Sequence, residues 1–498
     1  MTGGMIQLVA YGPEDMFITR DPQITFFKTV YRRHTNFSVE QMIQKFPSQQ
    51  VNFGNKITTV ILKNSDLMGK IYLVVTLPEI KKISDPLTKF AWVRRVGFSM
   101  IKTVEIYIGG KLIDRHYGEW LSLWADMCGM YSTDKMHGIN KMIGDVPELT
   151  EFSNSKKQYT MYIPLSFWFC RSDSLALPLV ALQYCDVTMS VEFYDANMCY
   201  MLAPTNYIVC NNDLVNLIPY EYIEQTVGNN LIAGIFINYD IITKRLYYYQ
   251  ITSNTFYYSS NYPIVGKTSN FSVYPTTNAT SRVYSNANIR NLNIVDCHLL
   301  VDYIFVDIDE RQRFLQNKHD YLIEQLYYTN PATIKGVNAS INLSIDQPCK
   351  LIVWLVQMQY IENSLDYYNY TDNYARVMGS NSTKNEPIGN NIILQETILL
   401  NGYERISLRA YDYFSYIQQY QCTDFMTQQG VQMYSFALKP TEIQPSGTCN
   451  MGQINNIQVQ MQLSNVINVN NPATFRCYSL CYNMFRCHNG IGGLVFVK

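Results

Sequence analysis

The sequence predicts an all-β chain with a few short helices. Three observations carry this. Apolar and polar residues alternate with a period of two in several stretches, turn dipeptides follow strand-length runs, and apolar residues at helical spacing are rare. The same order of element types also occurs twice, which predicts two tandem β-sandwiches of similar plan.

The elements follow in chain order. Lys70-Ile-Tyr-Leu-Val-Val-Thr-Leu77 is a continuous apolar run, expected of a strand covered on both faces. Val104-Glu-Ile-Tyr-Ile-Gly-Gly110 is a strand running into a Gly-Gly pair that supplies the positive φ of a tight hairpin. Between Glu119 and Met127, residues Trp120, Leu123, Trp124 and Met127 fall on one helical face. Met161-Tyr-Ile-Pro-Leu165 reads as a short strand. Val187-Thr-Met-Ser-Val-Glu-Phe193 alternates without a break, as a strand with one wet face does. Leu300 to Val306 closes the first half. In the second half, Leu322 to Leu326 reads as a short helical turn, and Lys350-Leu-Ile-Val-Trp-Leu-Val-Gln357 is another covered strand. Thr397-Ile-Leu-Leu-Asn-Gly402 is a strand entering an Asn-Gly turn. Met433 to Leu438, the alternating Ile457-Gln-Val-Gln-Met-Gln-Leu463, and Arg476 to Tyr482 complete it. Two stretches read as insertions. Residues 197–295 are crowded with Tyr, Asn, Ser and Thr, either as a small subdomain or as an ordered surface excursion. Residues 361–391 read as one long surface loop.

Composition bounds the function. The chain has 498 residues, 47% of them hydrophobic, so it can bury a large core. Lys plus Arg number 39 and Asp plus Glu 40, so no global field steers it onto nucleic acid. No apolar run approaches the ~18 residues of a membrane helix, and the start lacks the basic region of a signal peptide. Twelve cysteines are too sparse for a disulfide scaffold and read as free thiols in a reducing compartment. Charged residues are only 16%, while Tyr numbers 40 against 23 Phe and 5 Trp. Aromatic enrichment with charge depletion marks the core of protein–protein interfaces, a first hint of a chain built to assemble.

Candidates for chemistry fail one by one. Cys477, Cys481, Cys487 and His488 lack the paired spacing of a structural zinc site. On a strand, Cys477 and Cys481 stand about 13 Å apart, too far to share one ion. Gly266-Lys267-Thr268 resembles the tail of a phosphate loop, but Asn261 stands where that motif needs Gly. Asp302, Asp307, Asp309 and Glu310 are followed by Arg311 and Arg313 and read as a solvated, self-compensated linker. Tyr31-Arg-Arg-His34 is too small a basic cluster for a nucleic-acid surface. Neither a catalytic nor a cofactor-binding nor a metal site is expected. Of seven Asn-x-Ser/Thr triplets, Asn270, Asn278, Asn369 and Asn381 fall in the two polar insertions and are the candidate glycosylation acceptors.

Several segments are specific. Gly3-Gly-Met-Ile-Gln-Leu-Val-Ala-Tyr-Gly12, Asp21-Pro-Gln-Ile-Thr-Phe-Phe-Lys28 and Val30-Tyr-Arg-Arg-His-Thr-Asn-Phe37 open the series. Ile106-Tyr-Ile-Gly-Gly110 with Ile113-Asp-Arg-His116, Leu175-Ala-Leu-Pro-Leu-Val-Ala-Leu-Gln-Tyr184, and Val301-Asp-Tyr-Ile-Phe305 with Asp309-Glu-Arg311 continue it. His319-Asp-Tyr-Leu-Ile-Glu-Gln325, Tyr434-Ser-Phe-Ala-Leu-Lys-Pro440, Gln444-Pro-Ser-Gly-Thr-Cys-Asn450, Tyr482-Asn-Met-Phe-Arg486 and Gly492-Gly-Leu494 complete it. In this order, over nearly the whole chain, they closely resemble the major capsid proteins of nucleocytoplasmic large DNA viruses. The resemblance implies a double jelly roll: two tandem eight-stranded antiparallel jelly rolls with short helices and long surface loops. It places an N-terminal arm at 1–20, the first jelly roll at 21–308, a linker at 309–320 and the second at 321–498. It implies a structural virion protein rather than an enzyme, a homotrimer forming a pseudo-hexameric capsomer of an icosahedral shell, with both insertions at its outward end. The implied partners are neighbouring capsomers, minor capsid and penton proteins, with an internal membrane nearby and no direct nucleic acid. Assembly would take place in the cytoplasm of the infected cell. The alternatives are a paralogous minor capsid or assembly-scaffold protein and a glycan-binding β-sandwich module.

Overall fold

The computed structural model describes residues 2–46, 51–81, 90–130, 136–202, 206–211, 217, 221–228, 230–240, 244–250, 252, 254–258, 261–267, 269–277, 292–363, 365–372, 389–469 and 471–496. Met1–Phe37 form one compact unit and Ser38–Lys498 another. The first carries two short helices, Gly3–Val9 and Met16–Thr19, and exposes Ile18, Phe26 and Phe27 by 83%, 89% and 98%.

Among the described residues, eight strands build the first sandwich. They are β1 (Phe37–Lys45), β2 (Lys56–Val60), β3 (Leu67–Leu77), β4 (Ile101–Ile108), β5 (Lys111–His116), β6 (Tyr159–Pro164), β7 (Val187–Phe193) and β8 (Asp296–Val306). One sheet has the order β1-β8-β3-β6 and the other β2-β7-β4-β5. Eight more strands build the second sandwich: β9 (His319–Ile334), β10 (Asn338–Asn342), β11 (Pro348–Met358), β12 (Ile393–Leu400), β13 (Tyr403–Ala410), β14 (Val431–Ser435), β15 (Ile457–Leu463) and β16 (Ala473–His488). Their sheets run β9-β16-β11-β14 and β10-β15-β12-β13. Counted from one within each set, both sandwiches give the same pair of orders, 1-8-3-6 and 2-7-4-5. This is the jelly-roll arrangement, and it occurs twice.

The period-two pattern explains the packing. In β15, Ile457, Val459, Met461 and Leu463 are buried while the intervening glutamines face outward. In β11 both faces are covered, by different partners. Ile352, Trp354, Val356 and Met358 enter the second sandwich's core. Leu351, Val353 and Leu355 meet Trp120, Leu123, Trp124 and Met127 of helix α1 (Gly118–Met127), which belongs to the first half. The continuous apolar run at 350–357 is therefore the place where one sandwich packs on the other. Both expected hairpins form. Gly109 and Gly110 have φ of 58° and 76°, and Asn401 and Gly402 have 51° and 83°.

Helix α1 starts where the chain passes closely over its own backbone. A Cβ on Gly118 would lie 2.0 Å from the Phe98 carbonyl oxygen and 2.5 Å from that of Ile101. Backbone atoms cannot yield as a side chain does, so Gly118→Ala is expected to cost about 3 kcal/mol or more, read as a lowered denaturation midpoint. A loss below about 1 kcal/mol would mean that the approach relaxes freely.

Three expectations need correction or completion. Leu322–Leu326 is not helical: it lies inside β9, paired residue by residue with β16, and strand pairing overrides the local spacing. The described part of 361–391 is not a surface loop, because Tyr368, Asn369, Tyr370 and Thr371 are buried. Tyrosine counts as polar in composition, but here its ring is interred and its hydroxyl is partnered. Residues 373–388 of that stretch lie outside the described residues. The 197–295 stretch contains a six-stranded sheet of its own, in the order 206–209, 245–250, 230–240, 222–227, 264–266 and 272–273. Its core includes Ile208, Ile223, Phe236, Leu246, Tyr248 and Phe256. It is thus a small subdomain, the first of the two forms expected, and Tyr247 and Tyr249 alternate with buried Leu246, Tyr248 and Gln250.

Candidate functional site

The chemistry-bearing residues that the fold brings together lie along the seam between the two sandwiches. Glu119, in the first turn of α1, is its centre. Tyr478 of β16 donates to its Oε2 at 2.7 Å, and Tyr370 donates to Oε1 at 3.1 Å. Arg476, on the same face of β16 as Tyr478, donates from Nη2 to Glu119 Oε1 at 3.1 Å and from Nη1 to Glu362 Oε1 at 3.1 Å. It also donates to Gln357 Oε1. Burial pulls the Arg476 guanidinium downward in pKa, but Glu119 and Glu362 outweigh it, and the group stays cationic. Gln357 then donates its amide to the carbonyls of Asp366, Tyr367 and Asn369 at 3.1, 3.1 and 3.0 Å. That clamp explains why the start of the 361–391 stretch turns inward.

Aromatic rings flank these charges. Tyr117 of the first half lies tilted against Tyr328 at 4.6 Å between centroids, Tyr328 stacks on Tyr478 at 4.9 Å, and Trp120 lies 5.7 Å from Tyr478. Such pairs add about 0.5–1.5 kcal/mol each beyond the area they bury.

A second buried cluster lies beside it. Glu324 of β9 accepts from Lys350 of β11 and from Arg171 of the first half. The Arg171 guanidinium stands 4.0 Å over the Trp124 ring. Burial lowers the Lys350 pKa, and Glu324 opposes that. A third link pairs side chains with backbone: Asp114 Oδ1 accepts from the Leu326 backbone amide at 3.0 Å, and the Gln325 side-chain amide donates to the Ile113 carbonyl. These bonds tie β5 of one sandwich to β9 of the other. The seam can hold two folded bodies in fixed register. It contains buried cations and carboxylates that neutralise one another.

The sequence singled out other residues. Cys477 and Cys481 both face the second core, whereas Cys487 packs in the first, so β16 divides these cysteines between two interiors. Gly266 ends a strand, Lys267 pairs with Glu224, and Thr268 lies outside the described residues. From Asp307 the acidic run lies in a solvent-exposed helical connection, but Arg311 does not pair within it. Asp307 caps helix α2 (Ile308–Gln316) by accepting from the Ile308 amide at 2.7 Å, and Arg311 pairs with Asp66 at 3.1 Å, away from the run. Arg32, Arg33 and His34 are exposed. Among the acceptor candidates, Asn270 is exposed in a turn with φ of 54°. Asn369 is 2% exposed, its amide donating to Asp366 at 3.1 Å and its oxygen accepting from the Thr371 backbone and hydroxyl. Asn278 and Asn381 lie outside the described residues.

The seam residues were missed from sequence, although a signal existed. Glu119, Glu324, Lys350 and Arg476 are single charges set inside apolar runs, where a surface role is least expected.

Comparison with known proteins agrees with this architecture. The family model described as major capsid protein N-terminus matches residues 25–239, and that described as large eukaryotic DNA virus major capsid protein matches 310–493. A probable capsid protein 4 of Acanthamoeba polyphaga mimivirus is 39% identical over 100% of this chain and 99% of its own. A major capsid protein of Phaeocystis pouchetii virus is 31% identical over the full length of both. Among solved structures, a quasi-atomic model of the PBCV-1 virus capsid aligns with a TM-score of 0.65 at 25% identity, covering 95% of this chain and 100% of the other.

Proposed function

The chain belongs to the major capsid protein family of large eukaryotic DNA viruses, a structural component of the virion capsid, and from that premise we propose that three copies associate into a pseudo-hexameric capsomer. The observation that carries this is the repeated strand order. One chain presents two copies of the same sandwich, fixed to each other by a buried seam, so three chains arrange six near-equivalent bodies around a threefold axis. Self-association also accounts for the exposed apolar side chains along and beyond β13, including Tyr403 at 80%, Leu408 at 54% and Tyr420 at 81% exposure. Sedimentation of the purified chain is expected to give about three times its 57.7 kDa mass. A stable monomer at micromolar concentration would sink the proposal.

On this reading the protein has no catalytic role. Its partners are its own copies, neighbouring capsomers, and minor capsid and penton proteins. It assembles in the infected cell, in the cytoplasm. The 197–295 subdomain faces outward, and Asn270, exposed in its turn, is a better glycan acceptor than the interred Asn369. A capsid protein with a specialised place in the shell is the second reading. It is favoured by the 39% identical relative being named probable capsid protein 4, while the 31% identical one is named a major capsid protein. Quantitative mass spectrometry of purified particles separates the two: thousands of copies fit the dominant role, a few dozen the specialised one.

A further inference from the structure

Three thiols meet on one face of the second sandwich. Cys349, in the central strand β11, stands directly opposite Cys481 of β16 on one side and Cys449 of the short strand Cys449–Asn450 on the other. Facing residues on antiparallel strands have Cα atoms about 4.5–5.5 Å apart, inside the roughly 4.4–6.8 Å window that a disulfide requires. Register alone does not make side chains meet, but the packing does. Cys349 and Cys481 lie in the second core, and Cys449 packs against the same core. All three are free thiols. They differ in access, since Cys349 and Cys481 are fully buried while Cys449 is half-buried and reachable from solvent.

We propose that Cys449 and Cys349 form a cross-strand disulfide when the folded protein meets a small-molecule disulfide. The Cys449 thiolate attacks the oxidant, giving a mixed disulfide and releasing one small thiol. Cys349 then loses its proton, attacks Cys449 Sγ and expels the second small thiol. Two protein thiols are oxidised and one small disulfide is reduced to two thiols. Burial holds the thiol pKa of Cys449 above its usual value, and that of Cys481 well above it. The reaction is therefore slow at neutral pH and faster as pH rises, and the buried Cys481 is left reduced.

The consequence lies in what the bond would pin. Cys449 ends the segment that follows β14, and Thr441, Glu442, Ile443 and Gln444 of that segment line a cavity of about 830 Å³ at the seam, together with Arg171 and Glu324. The disulfide would anchor this segment to the central strand of the second sandwich, closing a covalent loop of some hundred residues. It is independent of how many copies assemble.

The test uses the purified full-length protein with oxidised glutathione as the probe. Non-reducing peptide mapping is expected to show Cys349 linked to Cys449, faster at pH 8.5 than at pH 7. The thermal midpoint should rise by at least roughly 5 °C over the dithiothreitol-treated protein, and Cys449→Ser should abolish both effects without altering the reduced midpoint. A Cys349–Cys481 link, a Cys449 that stops at the glutathione adduct, or a rise that persists in Cys449→Ser would each overturn it.

Discussion

Replacing Arg476 by Ala is expected to destabilise the chain by about 3–5 kcal/mol. The side chain is buried and lies between Glu119, Glu362 and Gln357. Its removal leaves the Glu119 carboxylate in the seam with only the Tyr370 and Tyr478 hydroxyls to stabilise it, and an uncompensated buried charge is what makes such truncations costly. Charge, not volume, is the operative quantity. Arg476→Met combined with Glu119→Gln should therefore recover much of the loss, because the carboxylate still without its arginine is then Glu362, which is part-exposed and reaches water. The midpoint of urea unfolding reads both. If Arg476→Ala lost less than about 1 kcal/mol, or if the double variant were as unstable as the single one, the seam would not depend on this cluster.

The second large effect concerns Glu396, in β12 of the second core. It is wholly buried and accepts from the Trp354 indole at 2.8 Å. Burial pushes its carboxyl up to about 8, and the indole bond only partly opposes that. The folded state thus holds a proton that the unfolded chain releases near pH 4.5. The sign follows from linkage: the stabilisation is complete below about pH 4.5 and is lost as pH rises toward 8. The slope is about 1.4 kcal/mol per pH unit across that window. Glu396→Gln keeps an acceptor for Trp354 and removes the proton equilibrium. The difference in stability between Glu396→Gln and the unmodified chain should grow in favour of Gln from pH 5 to pH 8 and then level off. A difference that stays constant across that range would show that Glu396 does not titrate with folding.

Much of the fold was legible in the sequence, and the particulars show why. Val187–Phe193 and Ile457–Leu463 each bury every apolar side chain on one face, so alternation alone revealed them. Asn401-Gly402 and Gly109-Gly110 revealed their hairpins because both central positions need positive φ. The continuous run at Lys350–Gln357 was rightly read as covered on both sides, but the cover on one side is α1, more than two hundred residues away. No local pattern records such a partner. The same limit hid the seam. Arg476 and Glu119 are 357 positions apart, so although each stands as a single charge in an apolar run, nothing local names its partner until the two sandwiches pack. Tyr367, Tyr368 and Tyr370 were misread for a related reason. Their hydroxyls find Met198, Ser99 and Glu119, all supplied by the first half, and without those partners a Tyr-rich stretch looks like surface. The low charge content acquires a second meaning here, since part of the tyrosine excess fills the seam and part the 197–295 subdomain, not only faces between copies.

A density map of purified virions at side-chain resolution is expected to show capsomers in which each of three copies of this chain contributes two jelly rolls joined at the Glu119–Arg476 seam, giving six sandwiches around a threefold axis. Capsomers in which this chain is absent, or in which its two sandwiches stand apart with that seam open, would contradict this arrangement.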